Sequence, residues 1–169
     1  MISRHDLEAL VVSVWSEMPG LPLEPAPAAA RPAAGPRLAA SIAFHGMTEG
    51  QVVLLTTPAL ARLATSHMLH QPMSVCTGND LADVVCELCN IIGGGVKSLV
   101  PGPNQLSLPA VVPDGRPAEP HLPGCAAIHA RFRCEGQPLE VWLWAQEAGS
   151  AWQASDITCL EIAALPQCN

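Results

Sequence analysis

The residues of this chain whose types and spacing could do chemistry concentrate in one stretch, Asp83-Val-Val-Cys86-Glu87-Leu-Cys89-Asn90-Ile-Ile-Gly93-Gly94-Gly95-Val-Lys97. Asp83, Glu87 and Asn90 stand at i, i+4 and i+7, which on a helix gathers them within a sector of about 60°. The helix would then present a carboxylate and a carboxamide together toward solvent or a partner. The same spacing also fits a plain solvated face, with Asp83 favouring the helix start. Two features weigh against the plain reading. Asparagine is a mediocre helix former, and each glycine of the triplet costs roughly 1 kcal/mol relative to alanine. Such a segment implies that something approaches closely, or that two elements pack without side chains between them.

Other constellations are weaker. Cys86-x-x-Cys89 lies inside a helical pattern rather than at the start of a helix after a strand, as a redox motif requires. It has no second ligand pair at zinc-finger spacing. His67-x-x-His70 falls near a helix end, where histidines interact with terminal carbonyls, and lacks a third ligand. Ser107 has no histidine and acid to activate it. Seven cysteines are an odd number without an export pattern, which fits buried apolar residues better than a disulfide framework.

The elements that must position the central stretch follow from pattern. Residues 4–18 read as a helix, with Leu7, Leu10, Val11, Val14 and Trp15 at helical spacing and Ser3 or Asp6 as cap. Residues 21–37, dominated by Pro and Ala, read as an extended, solvated loop. Strands are expected at 38–44 and 51–56, joined through 45–50. A helix starts at Pro58 with Thr57 as cap and runs to about Leu69. The long helix starts at Asn79 or Asp80 and runs to about Leu99, stopped by Pro101. Its core face is expected to carry Leu81, Val85, Leu88, Ile92 and Leu99. Strands then follow at 105–112, 126–134 and 139–145, with Gly136 at the last turn. On the final strand Trp142 and Trp144 share a face with Glu140 and Gln146, as core or as a dimer surface. A short helix is expected at 155–164.

Helix, two strands, two helices and three strands make an α+β domain with a largely antiparallel sheet. The 169 residues fit a single domain, with a loop at 21–37 and a tail from about residue 150. Eight basic residues against fifteen acidic ones, with Lys97 the one lysine, exclude the basic stripe that nucleic acid or an anionic membrane demands. No apolar run reaches the roughly 20 residues of a membrane span, and no signal-peptide pattern opens the chain, so a cytoplasmic location is expected.

The sequence resembles the chemotaxis phosphatases CheC, CheX and FliY, and most closely the CheX-like domain. The likeness rests on Asp83-x-x-x-Glu87-x-x-Asn90, then Ile91-Ile92-Gly93-Gly94 and Lys97, then Leu106-Ser107-Leu108-Pro109-Ala110-Val111-Val112. The order of elements fits as well, over roughly residues 38–146. Two departures lie beside the motif: Gly95 stands where typical members have asparagine, and the run from Asn90 to Pro109 is shorter.

The resemblance implies a phosphatase acting on the aspartyl phosphate of a CheY-like response regulator, terminating chemotaxis or a related two-component signal. By that likeness Glu87 and Asn90 are the catalytic residues. Asn90 orients the attacking water and Glu87 pairs with the regulator's active-site lysine. Asp83 is a supporting residue, with a helix-capping role as the alternative. No cofactor is implied for this chain, because Mg²⁺ is expected on the partner regulator. A homodimer through sheet edges is in keeping with the family. The rival reading is a non-catalytic adaptor on the same fold that binds a receiver domain without turning over phosphate.

Overall fold

The computed structural model describes residues 2–27, 35–112 and 126–147. The expected helix at 155–164 lies outside them. Among the described residues the elements run α1 (Arg4–Glu17), β1 (Glu24–Pro25), β2 (Leu38–Gly46), β3 (Thr48–Thr56), α2 (Pro58–Leu69), α3 (Gly78–Leu99), β4 (Asn104–Leu106), β5 (Ala110–Val112), β6 (Ala126–Cys134) and β7 (Gln137–Glu147). The class is α+β, as the sequence implies. The strands form one antiparallel sheet in the order β1-β6-β7-β3-β2-β4, with β5 also on β2.

Local chemistry explains the boundaries. Both α1 and α3 open with reciprocal capping boxes: Ser3 with Asp6, and Thr77 with Asp80. Each cap hydroxyl accepts the third amide of its helix, while the acid takes the cap residue's own N–H at 2.8 Å and 2.7 Å respectively. These hydrogen bonds hold the carboxyls of Asp6 and Asp80 below their ordinary range. Helix α2 opens on Thr57 and Pro58, as expected. The β6–β7 hairpin turns through Glu135 and Gly136, both at positive φ, which matches the right-handed twist of the strands it joins.

The helices cover one sheet face. Leu7, Val11, Trp15, Leu60, Leu88 and Ile92 pack there with Ile42, Phe44, Leu54, Val141 and Leu143 in a single core. Helix α3 lies over β2 and β3, with α1 and α2 beside it. Cys89, fully buried, donates its S–H to the Ala40 carbonyl at 3.5 Å. The opposite face holds a second, smaller cluster of Ala39, Val53, Leu55 and Trp144, with Trp142 at its margin.

Several expectations change. The connection expected at 45–50 narrows to Met47 between β2 and β3, and α3 opens at Gly78 behind Thr77 rather than at Asn79 or Asp80. The stretch 21–37 is not all solvated loop: Leu21 and Leu23 are buried, and Glu24–Pro25 pairs with Arg133 and Phe132 as an edge strand, where a proline is tolerated. The strand expected at 105–112 is two. Pro109 interrupts it, and Ser107 holds the gap by accepting the Ala43 N–H and donating its own N–H to the Ala43 carbonyl. Leu99 is not in the core. It sits in the last turn of α3, 47% exposed, while Val96 and Val100 take the buried positions.

Candidate functional site

Helix α3 is 22 residues long and buries Leu81, Val84, Val85, Leu88, Cys89, Ile92, Gly93 and Val96. This fixes its rotation. Asp83 and Glu87 are exposed and Asn90 is half-buried, all on the side turned away from the core. The three residues singled out by spacing are therefore brought together on one outward face. Among the described residues, the side chains of Asp83, Glu87 and Asn90 make no hydrogen bond or ion pair within the chain. An amide placed mid-helix without an internal partner is free to serve an external one.

Asp83 is not a cap. Thr77 and Asp80 perform that role one turn earlier, so Asp83 stands on the face with Glu87 rather than at the helix end. Lys97 lies exposed in the last turn, where its charge complements the helix dipole.

The glycine triplet divides by direction. A Cβ on Gly93 would come within 2.6 Å of Ile42 Cγ2, and one on Gly95 within 2.4 Å of Leu10 Cδ1. Gly93 thus lets α3 settle on β2, and Gly95 makes room for α1. A side chain at 95 would have to displace the far end of Leu10. Among the described residues, a Cβ on Gly94 would meet nothing within 4 Å. Sequence reading treats the three as one segment. Helical phase separates them, because Gly94 is i+7 from Glu87 and i+4 from Asn90, on the outward side.

The cysteine pair is shielded rather than activated. Burial pushes the Cys89 thiol up to about 12, and burial together with the nearby Asp83 carboxylate raises that of Cys86. Both remain protonated, which suits neither a nucleophile nor a metal ligand. His70 closes α2 in the left-handed conformation, and His67 lies in its last turn. Among the described residues no group of three or more His, Cys, Asp or Glu is placed to hold a metal.

A second polar constellation lies on the far sheet face. Glu140, 7% exposed, is held by Arg37 Nη1 at 3.1 Å and His129 Nε2 at 2.9 Å, with Arg131 Nε at 3.9 Å. His129 stacks on Trp142 with centroids 3.5 Å apart, and Trp142 stacks on Trp144. Strand alternation alone places Glu140 beside the tryptophans. Its partnership with Arg37 crosses 103 positions and leaves no mark in the sequence. Of the two readings for the tryptophan face, Trp144 belongs to a buried cluster.

With this geometry in hand, comparison with known proteins is informative. Residues 38–132 match the family model described as chemotaxis phosphatase CheX. No curated protein sequence matches the chain. Among solved structures, the chain is similar to the chemotaxis protein CheX from Vibrio vulnificus, at 20% identity and a TM-score of 0.69. That match covers 86% of this chain and all of the other. It is also similar to a CheC-like superfamily protein from a Shewanella species, at 19% identity and a TM-score of 0.69, covering 86% and 99%. A third likeness, at 18% identity and a TM-score of 0.67, is to the complex of CheX with CheY, BeF₃ and Mg²⁺ from Borrelia burgdorferi, covering 85% and 97%. At these identities the structures speak for the fold, and the family model speaks for the family.

Proposed function

The chain belongs to the CheX chemotaxis phosphatase family, and from that premise we propose that it hydrolyses the aspartyl phosphate of a CheY-like response regulator, with Glu87 and Asn90 as its working residues. The observation that carries this reading is the pairing of an exposed carboxylate and an internally unpartnered amide, one turn apart, on the outward face of a helix anchored in the core.

An acyl phosphate is already labile, so catalysis requires little more than a water held in line with phosphorus. The water oxygen attacks phosphorus, the bond to the aspartate oxygen breaks, and phosphate and the free carboxylate leave. Asn90 suits the positioning task because its amide can both accept from and donate to that water without repelling the phosphoryl oxygens. Glu87, one turn earlier, pairs with the regulator's active-site lysine and sets the register of docking. Asp83 extends the acidic face and adds to the attraction. Magnesium belongs to the regulator in this scheme, and the chain contributes no ligand to it.

Phosphate release from a magnesium-loaded, phosphorylated CheY-like regulator tests the reading. The wild-type protein is expected to accelerate release, and Asn90→Ala to lose at least about a hundredfold of that acceleration with its melting temperature retained. Such a loss is in the range expected when a group positioning a reactant is removed. Equal activity in the variant would overturn the assignment. Tight regulator binding without acceleration by the wild type would establish the adaptor instead.

A further inference from the structure

Glycine within a helix has three physical justifications: a positive φ, close packing against a neighbouring element, or close approach of a ligand or partner. Gly94 is helical, and its φ lies outside the left-handed range that defines the special glycines of this chain. Among the described residues it packs against nothing, since an added Cβ would meet none of their atoms within 4 Å. Its neighbours Gly93 and Gly95 are both explained by contacts with Ile42 and Leu10. That leaves approach from outside, on the face that carries Glu87 and Asn90.

The direction of helical side chains sharpens the point. Each Cα–Cβ bond tilts toward the helix N-terminus, so a side chain covers the turn before its own Cα. A side chain at 94 would therefore lean back over Asn90, its i−4 neighbour. We propose that Gly94 is a positioning residue: its missing side chain clears the surface through which the regulator seats against α3, and keeps the Asn90 amide within reach of the phosphorylated aspartate. The inference rests on the phosphatase reading above and goes beyond it, by assigning regulator recognition to the helix backbone one turn past the amide.

The test compares wild type, Gly94→Ala and Gly94→Gln in the full chain. Three readouts are needed: melting temperature, affinity for the regulator loaded with beryllofluoride and magnesium, and kcat/KM for phosphate release. Gly94→Ala should melt a few degrees higher, because alanine is the better helix former and the site has room for it. It should nevertheless bind the regulator about tenfold more weakly. Gly94→Gln should lose about a hundredfold in affinity and in kcat/KM. A stabilised but impaired variant is a combination that a purely structural glycine cannot produce.

Wild-type affinity and turnover in both variants would overturn the inference while leaving the phosphatase reading intact. A lower melting temperature for Gly94→Ala would overturn it too, by showing that the glycine serves the fold. A wild-type protein that binds no regulator would remove the phosphatase reading and this inference together.

Discussion

The proposed function gives the neighbours Glu87 and Asn90 different tasks, so their substitutions should separate accordingly. An exposed carboxylate that pairs with a lysine across an interface contributes mainly to encounter and register, and salt screens it. Glu87→Gln is expected to weaken regulator binding about tenfold and to flatten the dependence of affinity on ionic strength. Calorimetry at low and high salt reads both effects. An unchanged salt slope would remove Glu87 from the docking contact. Asn90→Ala should leave affinity nearly intact, since the role proposed for its amide is toward the water rather than the regulator's lysine. Neither change should cost much stability, because neither side chain has an internal partner among the described residues.

At the scale of the element, α3 joins two requirements that pull against each other. It must lie close to the sheet and to α1, and it must present a clean outer face. Gly93 and Gly95 meet the first requirement and Gly94 is left for the second. Substituting alanine should distinguish the two packing glycines. Gly93 faces the branched methyl of Ile42, itself 1% exposed and held in the core, so an added Cβ forces a shift that a packed interior resists. Gly93→Ala is expected to destabilise by about 2 kcal/mol, the usual cost of overpacking. Gly95 meets the far end of Leu10, a half-buried side chain that can turn aside. There the gain in helix propensity of roughly 1 kcal/mol largely offsets the clash. Chemical denaturation of the two variants should place Gly93→Ala well below Gly95→Ala. The reverse order would show that α1 and not the sheet sets the depth of α3.

Across the whole molecule, acid should loosen the fold from the face opposite the site. Burial pushes the His129 ring down from its ordinary value, outweighing the hydrogen bond and charge of Glu140 that would raise it. The ring is therefore neutral in the fold, and its Nε2–H donates to Glu140. Burial also works to raise the Glu140 carboxyl, but the hydrogen bond from His129 and the charges of Arg37 and Arg131 bring it below its ordinary value. Both shifts have the same sign for stability. As pH falls below the ordinary histidine value of 6.5, the unfolded chain takes up a proton that the native one does not. Below the ordinary glutamate value of 4.5 the same holds for Glu140, and its contribution is lost as pH falls through its folded value. The melting temperature should decline in two stages on acidification, the first beginning near pH 6.5. His129→Gln, which keeps a donor toward Glu140 and does not titrate, should lack the first stage. If it declines in parallel with wild type, another group governs that range.

The amino-acid sequence alone determined what depends on neighbours along the chain. The phase of α3, the outward grouping of Asp83, Glu87 and Asn90, the cap at Thr57, and the turn at Gly136 all follow from periods of a few residues, which also narrow the first cap to Ser3 or Asp6. The family likeness was legible there too, because its motif lies on a single helix and the strand entry after it. Tertiary structure decided what depends on distant residues. Glu24 finds Arg133 to make an edge strand, and Arg37 and His129 converge on Glu140. Ser107 bonds back to Ala43 and divides a strand in two. The three glycines, alike in sequence, are told apart by Ile42, by Leu10 and by the lack of any neighbour at Gly94 among the described residues. Helical and strand periodicity reports which way a residue points. What stands there to meet it is set by chain segments that come close only when the sheet and its helices assemble.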